Sequence, residues 1–118
     1  MGTASARGRL QAGALTAAAP PPATTPKTSP GGAPTPAGHY VQGMVHAGVV
    51  YVSGQLPIDP ATGLVVDGDT TVQAERTLQN VAAVLEAAGS GLDRVLMLTI
   101  FVTSREDWPA VNAVCARM

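Results

Sequence analysis

Acidic residues are absent from the first 58 positions of the chain, the first being Asp59. Charged side chains of both signs make up only 13% of the 118 residues, aromatic ones 3%, and there is one cysteine, Cys115. A lone cysteine excludes an internal disulfide framework and fits a reducing compartment such as the cytoplasm. With a formal net charge of -1 there is no basic footprint for nucleic acid. No apolar run approaches the roughly 18 residues that cross a bilayer, so no membrane partner is expected. Hydrophobic residues nevertheless reach 46%, more than so few charges can screen. Apolar surface is therefore expected to stay open on a single copy, which favours an oligomer.

Seven of the ten prolines fall within residues 1–37: Pro20, Pro21, Pro22, Pro26, Pro30, Pro34 and Pro36. Proline removes a backbone donor and cannot continue a helix or a central strand. Few large apolar side chains accompany it, so residues 1–37 are expected to form a disordered Ala/Pro/Thr-rich tail, with the folded domain over 38–118. Arg7, Arg9 and Lys27 without acidic neighbours also fit a mitochondrial transit peptide loosely. Ala6 excludes a myristoylation signal, which needs Ser or Thr there.

From Tyr40 the pattern alternates. Val41, Gly43 and Val45 share one face and Gln42, Met44 and His46 the other, as in a strand. Ala47-Gly48 is a turn signal, and Val49 to Ser53 is a second, β-branched strand, so the pair predicts a hairpin. Pro57, Asp59-Pro60 and Thr62-Gly63 mark a loop, after which Leu64 to Val66 is a candidate short strand. Thr70 to Ala88 predicts a helix that buries Ala74, Leu78, Val81, Ala82, Leu85 and Ala88. Thr70 and Gln73 suit a capping box, Asp69 sits favourably at the positive helix end, and Gly89 is the expected terminator. Val95 to Val102, apolar except for Thr99, predicts a central strand covered on both faces. A second helix begins after a cap at Ser104 or Asp107, with Pro109 in its first turn and Val111, Val114 and Cys115 inward. The chain stops at Met118 within that helix, so a domain lacking its final strands is expected, with the central strand short of a neighbour.

No residue here makes a metal site. His39 and His46 are separated by an odd number of residues and point to opposite faces of a strand. Cys115 reads as a small core residue, since neither a helix N-terminus nor a basic partner adjoins it.

Gly38-His39-Tyr40-Val41-Gln42-Gly43, Tyr51 to Pro57 with Asp59 to Gly63, Gln79-Asn80-Val81 through Gly89, Thr99 to Thr103, and Asp107-Trp108 with Val111-Asn112-Ala113 stand in an order that resembles the RidA (YjgF/UK114) family. The resemblance implies an α+β, chorismate-mutase-like fold, with a six-stranded mixed sheet backed by two helices, three copies forming a homotrimer with clefts at its interfaces. It implies cofactor-free hydrolytic deamination of reactive 2-imino and enamine acids to 2-keto acids and ammonia. By the same likeness Tyr40, Ser53 and Asn112 are substrate-binding residues. The family's carboxylate-binding arginine and its water-orienting glutamate lie on segments with no counterpart in this chain. Arg105 and Arg117 match neither, and His39 replaces a usual proline. Catalytic residues are therefore none in this chain, and imine hydrolysis is expected to be weak. The alternatives are a non-catalytic trimer-forming or regulatory subunit and a gene fragment. Some members carry a ribonuclease label, for which nothing in this composition speaks.

Overall fold

Hairpin chemistry sets the first recognisable piece of the fold. In the computed structural model, which describes residues 10–17, 27–28 and 31–118, Ala47 and Gly48 take φ of 50° and 79°. Two successive left-handed residues give the tight turn whose twist suits antiparallel strands, and Gly48 enters that region at no steric cost. The turn joins strands Gly43–His46 and Val49–Val52. As the alternation predicts, Gly43 and Val45 are buried while Met44 and His46 are exposed.

Five strands form one sheet. In chain order they are β1 (Leu10–Ala17), β2 (Lys27–Thr28), β3 (Gly43–His46), β4 (Val49–Val52) and β5 (Val95–Val102), and their spatial order is β2-β3-β4-β1-β5. All four pairings are antiparallel. Helices α1 (Thr70–Ala87) and α2 (Trp108–Arg117) cover one face. This is an α+β fold of the expected kind.

The expectation that residues 1–37 stay outside the fold is corrected at β1. Leu10–Ala17 lie inside the sheet, bonded to β4 on one side and to β5 on the other. Ala12 is 0% exposed and Ala14 3%. Small inward side chains let α1 approach closely, and the ladder bonds on both edges supply what the local sequence lacks in strand propensity. Residues 31–37 also belong to the structure, with Ala33 buried in the core. Residues 1–9, 18–26 and 29–30 lie outside the described residues.

The run Val95 to Val102 is likewise not central. β5 is the end strand of the described sheet, and β1 is the neighbour it was expected to lack. Leu98, Ile100 and Val102 pack beneath the helices, but Met97 is 55% and Phe101 65% exposed. A continuous apolar run therefore marks two apolar faces of which only one is covered within a single chain. Leu64 to Val66 contributes just the isolated bridge Ile58↔Val65.

Two clusters make the core. Ala12, Ala14, Val45, Val50 and Val52 of the sheet meet Val81, Val84 and Leu85 of α1. Ala74 and Leu78 meet Val111 and Val114 of α2. Asp69, one residue earlier than the capping box suggests, caps α1 by accepting from the Val72 amide at 3.1 Å. Thr70 is thereby freed to donate to Asp107 at 2.6 Å, which ties the starts of both helices together. Ser104 caps a short 3-10 turn, Arg105–Asp107, that leads into α2. Gly89, with φ 77°, ends α1 as expected.

Cys115 packs partly against the second cluster, and burial pushes its thiol pKa up. The thiolate is the reactive form, so alkylation by iodoacetamide at pH 8 is expected to run several-fold slower than for an open thiol. Unfolding in guanidinium should remove that difference. Equal rates before and after unfolding would contradict the packing described.

Candidate functional site

The hairpin register carries the site. Gly43 pairs with Val52, so the residues entering β3 and those leaving β4 come together at one end of the hairpin. Ser53 is anchored there twice: its amide donates to the Gln42 carbonyl at 3.0 Å and its Oγ donates to the Val41 carbonyl at 2.6 Å. The hydroxyl proton is thus committed to backbone, and the oxygen lone pairs remain to accept from a ligand or a water.

Tyr40 lies across from it. Its ring rests over Gly38, where an added Cβ would come within 3.1 Å of the ring. The approach to Tyr40 is held by Gln42, a buried residue that donates its side-chain amide to the carbonyls of Ala33, at 3.0 Å, and Pro34. Tyr40, Ser53, His39, Val41, Met44 and Tyr51 border an open cleft of about 430 Å³. Its walls are mainly apolar, with phenol, hydroxyl and imidazole groups at intervals. No lysine or arginine is among its described lining residues.

Of the three substrate-binding residues expected from the sequence, the fold brings Tyr40 and Ser53 into this one cleft. Asn112 stands apart, exposed on α2 between the inward Val111 and Val114. Arg117 is engaged by the Glu75 carboxylate, and Arg105 is exposed in the turn before α2. Among the described residues no group of three His, Cys, Asp or Glu side chains is placed to hold a metal. No helix among them is long and apolar enough to cross a membrane.

Sequence reading missed the supports of this site. Gln42 was assigned to an outward face by alternation, yet it is buried because two carbonyls receive its amide. Asn80, 0% exposed, donates to the carbonyls of Leu56, at 3.0 Å, and Ile58, at 2.8 Å, while its oxygen accepts from Arg76 at 3.1 Å. It pins the loop that follows Ser53 to α1. An asparagine set between the inward Leu78, Val81 and Val84 of a helix is the signal that points to such a bond.

Residues 31–118 match the family model described as Endoribonuclease L-PSP. A RutC family protein of Pyrococcus horikoshii is 39% identical over 71% of this chain and 67% of its own length. The 2-iminobutanoate/2-iminopropanoate deaminase of Salmonella typhimurium is 43% identical over 69% of this chain and 62% of its own. Among solved structures, E. coli TdcF with bound serine superposes with a TM-score of 0.73 at 35% identity, covering 78% of this chain and 72% of that one. The E. coli YjgF gene product gives 0.69 at 39% identity, over 75% and 69%. The chain spans about two thirds or less of the length of the curated relatives it matches.

Proposed function

Because this chain belongs to the Endoribonuclease L-PSP (RidA) family, we propose that its Tyr40–Ser53 cleft serves the hydrolysis of 2-imino and enamine acids to 2-keto acids and ammonia. The observation that carries this reading is the convergence of Tyr40 and Ser53 on one cleft through the hairpin register. Water oxygen bonds to the imine carbon and the C=N electron pair moves to nitrogen, which takes a proton. The hydroxyl proton left from that water then passes to the nitrogen as the C–N bond breaks, so ammonia leaves and the carbonyl forms, with no change of redox state and no cofactor. Ser53, its own proton fixed on Val41, accepts from the attacking water, and the Tyr40 phenol borders the developing charge.

Among the described lining residues a substrate carboxylate finds no lysine or arginine. The reading places the cleft at the boundary of a homotrimer, with Asn112 contributing from a neighbouring copy. Support comes from the open sheet face, where Met44, Tyr51, Met97 and Phe101 are exposed side by side across paired strands. The same face favours the second reading, a trimer-forming subunit that does no chemistry. A ribonuclease reading finds no phosphate-binding lysine or arginine among the described lining residues.

The readings separate in one assay. 2-Iminopropanoate generated in situ by an amino-acid oxidase is followed with this chain present. The expected result is a weak acceleration, within about tenfold of the spontaneous rate, that disappears in Ser53→Ala and falls in Tyr40→Phe. A rate indifferent to both substitutions would remove the cleft from the mechanism and leave the subunit reading. Sedimentation of the same sample is expected to show association, and a strictly monomeric species would tell against both.

A further inference from the structure

The residues that match the family supply β3, β4, β5 and both helices, but not the strand that lies between β4 and β5. That place is filled by β1, from outside the matched region. Its fit is extensive: Leu10 to Leu15 pair in sequence with Val102 to Met97, and Leu15 to Ala17 pair with Tyr51 to Val49. Beyond the end of β4, Ala12 and Gln55 exchange both backbone hydrogen bonds, at 3.1 and 2.8 Å.

Selection by side-chain size accompanies this backbone pairing. Ala12 and Ala14 point inward onto Val81, Val84 and Leu85 and are almost fully buried. At Gly13 an added Cβ would meet the Val52 carbonyl at 3.3 Å, closer than ordinary contact. The gap thus takes a backbone with small residues at three successive positions. Take β1 away and the facing edges of β4 and β5 each lose a ladder of hydrogen bonds, so an empty gap is costly and an occupied one is specific.

We propose that the gap between β4 and β5 is a peptide-binding site for an antiparallel strand, and that Leu10–Ala17 is its resident ligand, held by the fold and not by its covalent link to residue 27. Recognition is by strand addition: main-chain bonds on two edges give affinity and the Ala12–Gly13–Ala14 positions give selectivity. The inference does not depend on the activity proposed above.

Its test uses the full chain with a protease recognition sequence inserted between Ala23 and Thr24. After cleavage of the folded protein, the N-terminal piece is expected to co-elute with the remainder in size-exclusion chromatography. The cleaved protein is then unfolded in guanidinium and refolded with excess fluorescent peptide spanning residues 8–19. Incorporation near one peptide per chain is expected, with at least about tenfold less for a peptide carrying Ala14→Glu. Separation of the pieces while the remainder keeps its thermal transition would overturn the proposal. So would equal incorporation of the two peptides, or incorporation of neither.

Discussion

Ala12→Asp is expected to abolish the cooperative thermal transition of this protein. Ala12 is 0% exposed, bridged to Gln55 beyond the end of β4 on one side, paired with Ile100 of β5 on the other, and pressed on α1. A carboxylate there has no basic side chain in its cluster, and a buried, unpaired charge costs several kcal/mol. Total stability of a domain this size is on the order of 5–15 kcal/mol, so the variant should be largely unfolded at 37 °C. Circular dichroism on heating, with solubility on expression, measures it. The neighbouring Gln11→Glu change, half-buried on the opposite face of the same strand, is the comparison that controls for added charge. Were residues 1–37 a solvated tail, Ala12→Asp would fall within about 0.5 kcal/mol of the parent. A parent-like melting curve would therefore remove β1 from the sheet.

The second large effect is expected at Asn80. Asn80→Ala takes a donor from the carbonyl of Ile58 and from that of Leu56, which keeps the Ile58 amide at 2.8 Å, and deprives Arg76 of its acceptor. Each buried group left unsatisfied costs about 1–3 kcal/mol, so a loss of about 2–4 kcal/mol is expected in urea unfolding. Gln79→Ala, one residue earlier and exposed, should change stability by less than about 0.5 kcal/mol. The loop from Gly54 to Ile58 leads away from Ser53, so Asn80→Ala should also raise hydrogen exchange in that loop before global unfolding. Uniform loss of protection across the chain would instead mean that Asn80 acts only through the core.

Local patterns explain why much of this could be anticipated. The Ala47-Gly48 turn, the long helix with its stop at Gly89, and the second helix with Pro109 in its first turn all rest on interactions within a few residues. Their chemistry is visible in a short window. The family likeness named Tyr40 and Ser53 together, and pairing of Gly43 with Val52 explains why residues 13 apart share a cleft. Gln42 and Asn80 escaped because a buried amide is legible only once the carbonyls it donates to, eight to 24 residues away, are in place. The cap at Asp69 was displaced by one residue because Thr70 has a better use: its hydroxyl bonds Asp107, across 37 residues of chain.

By itself, the sequence determined the α+β class, the turn of the hairpin, the presence of both helices, the family, and the residue types available to the cleft. Only the tertiary structure decided that Leu10–Ala17 joins the sheet and that Val95–Val102 ends it. Alanine-rich and glycine-rich stretches have no local preference strong enough to announce a strand. Two neighbouring edges, contributed by residues some 35 to 90 positions away, supply the hydrogen bonds and the apolar surface that make one.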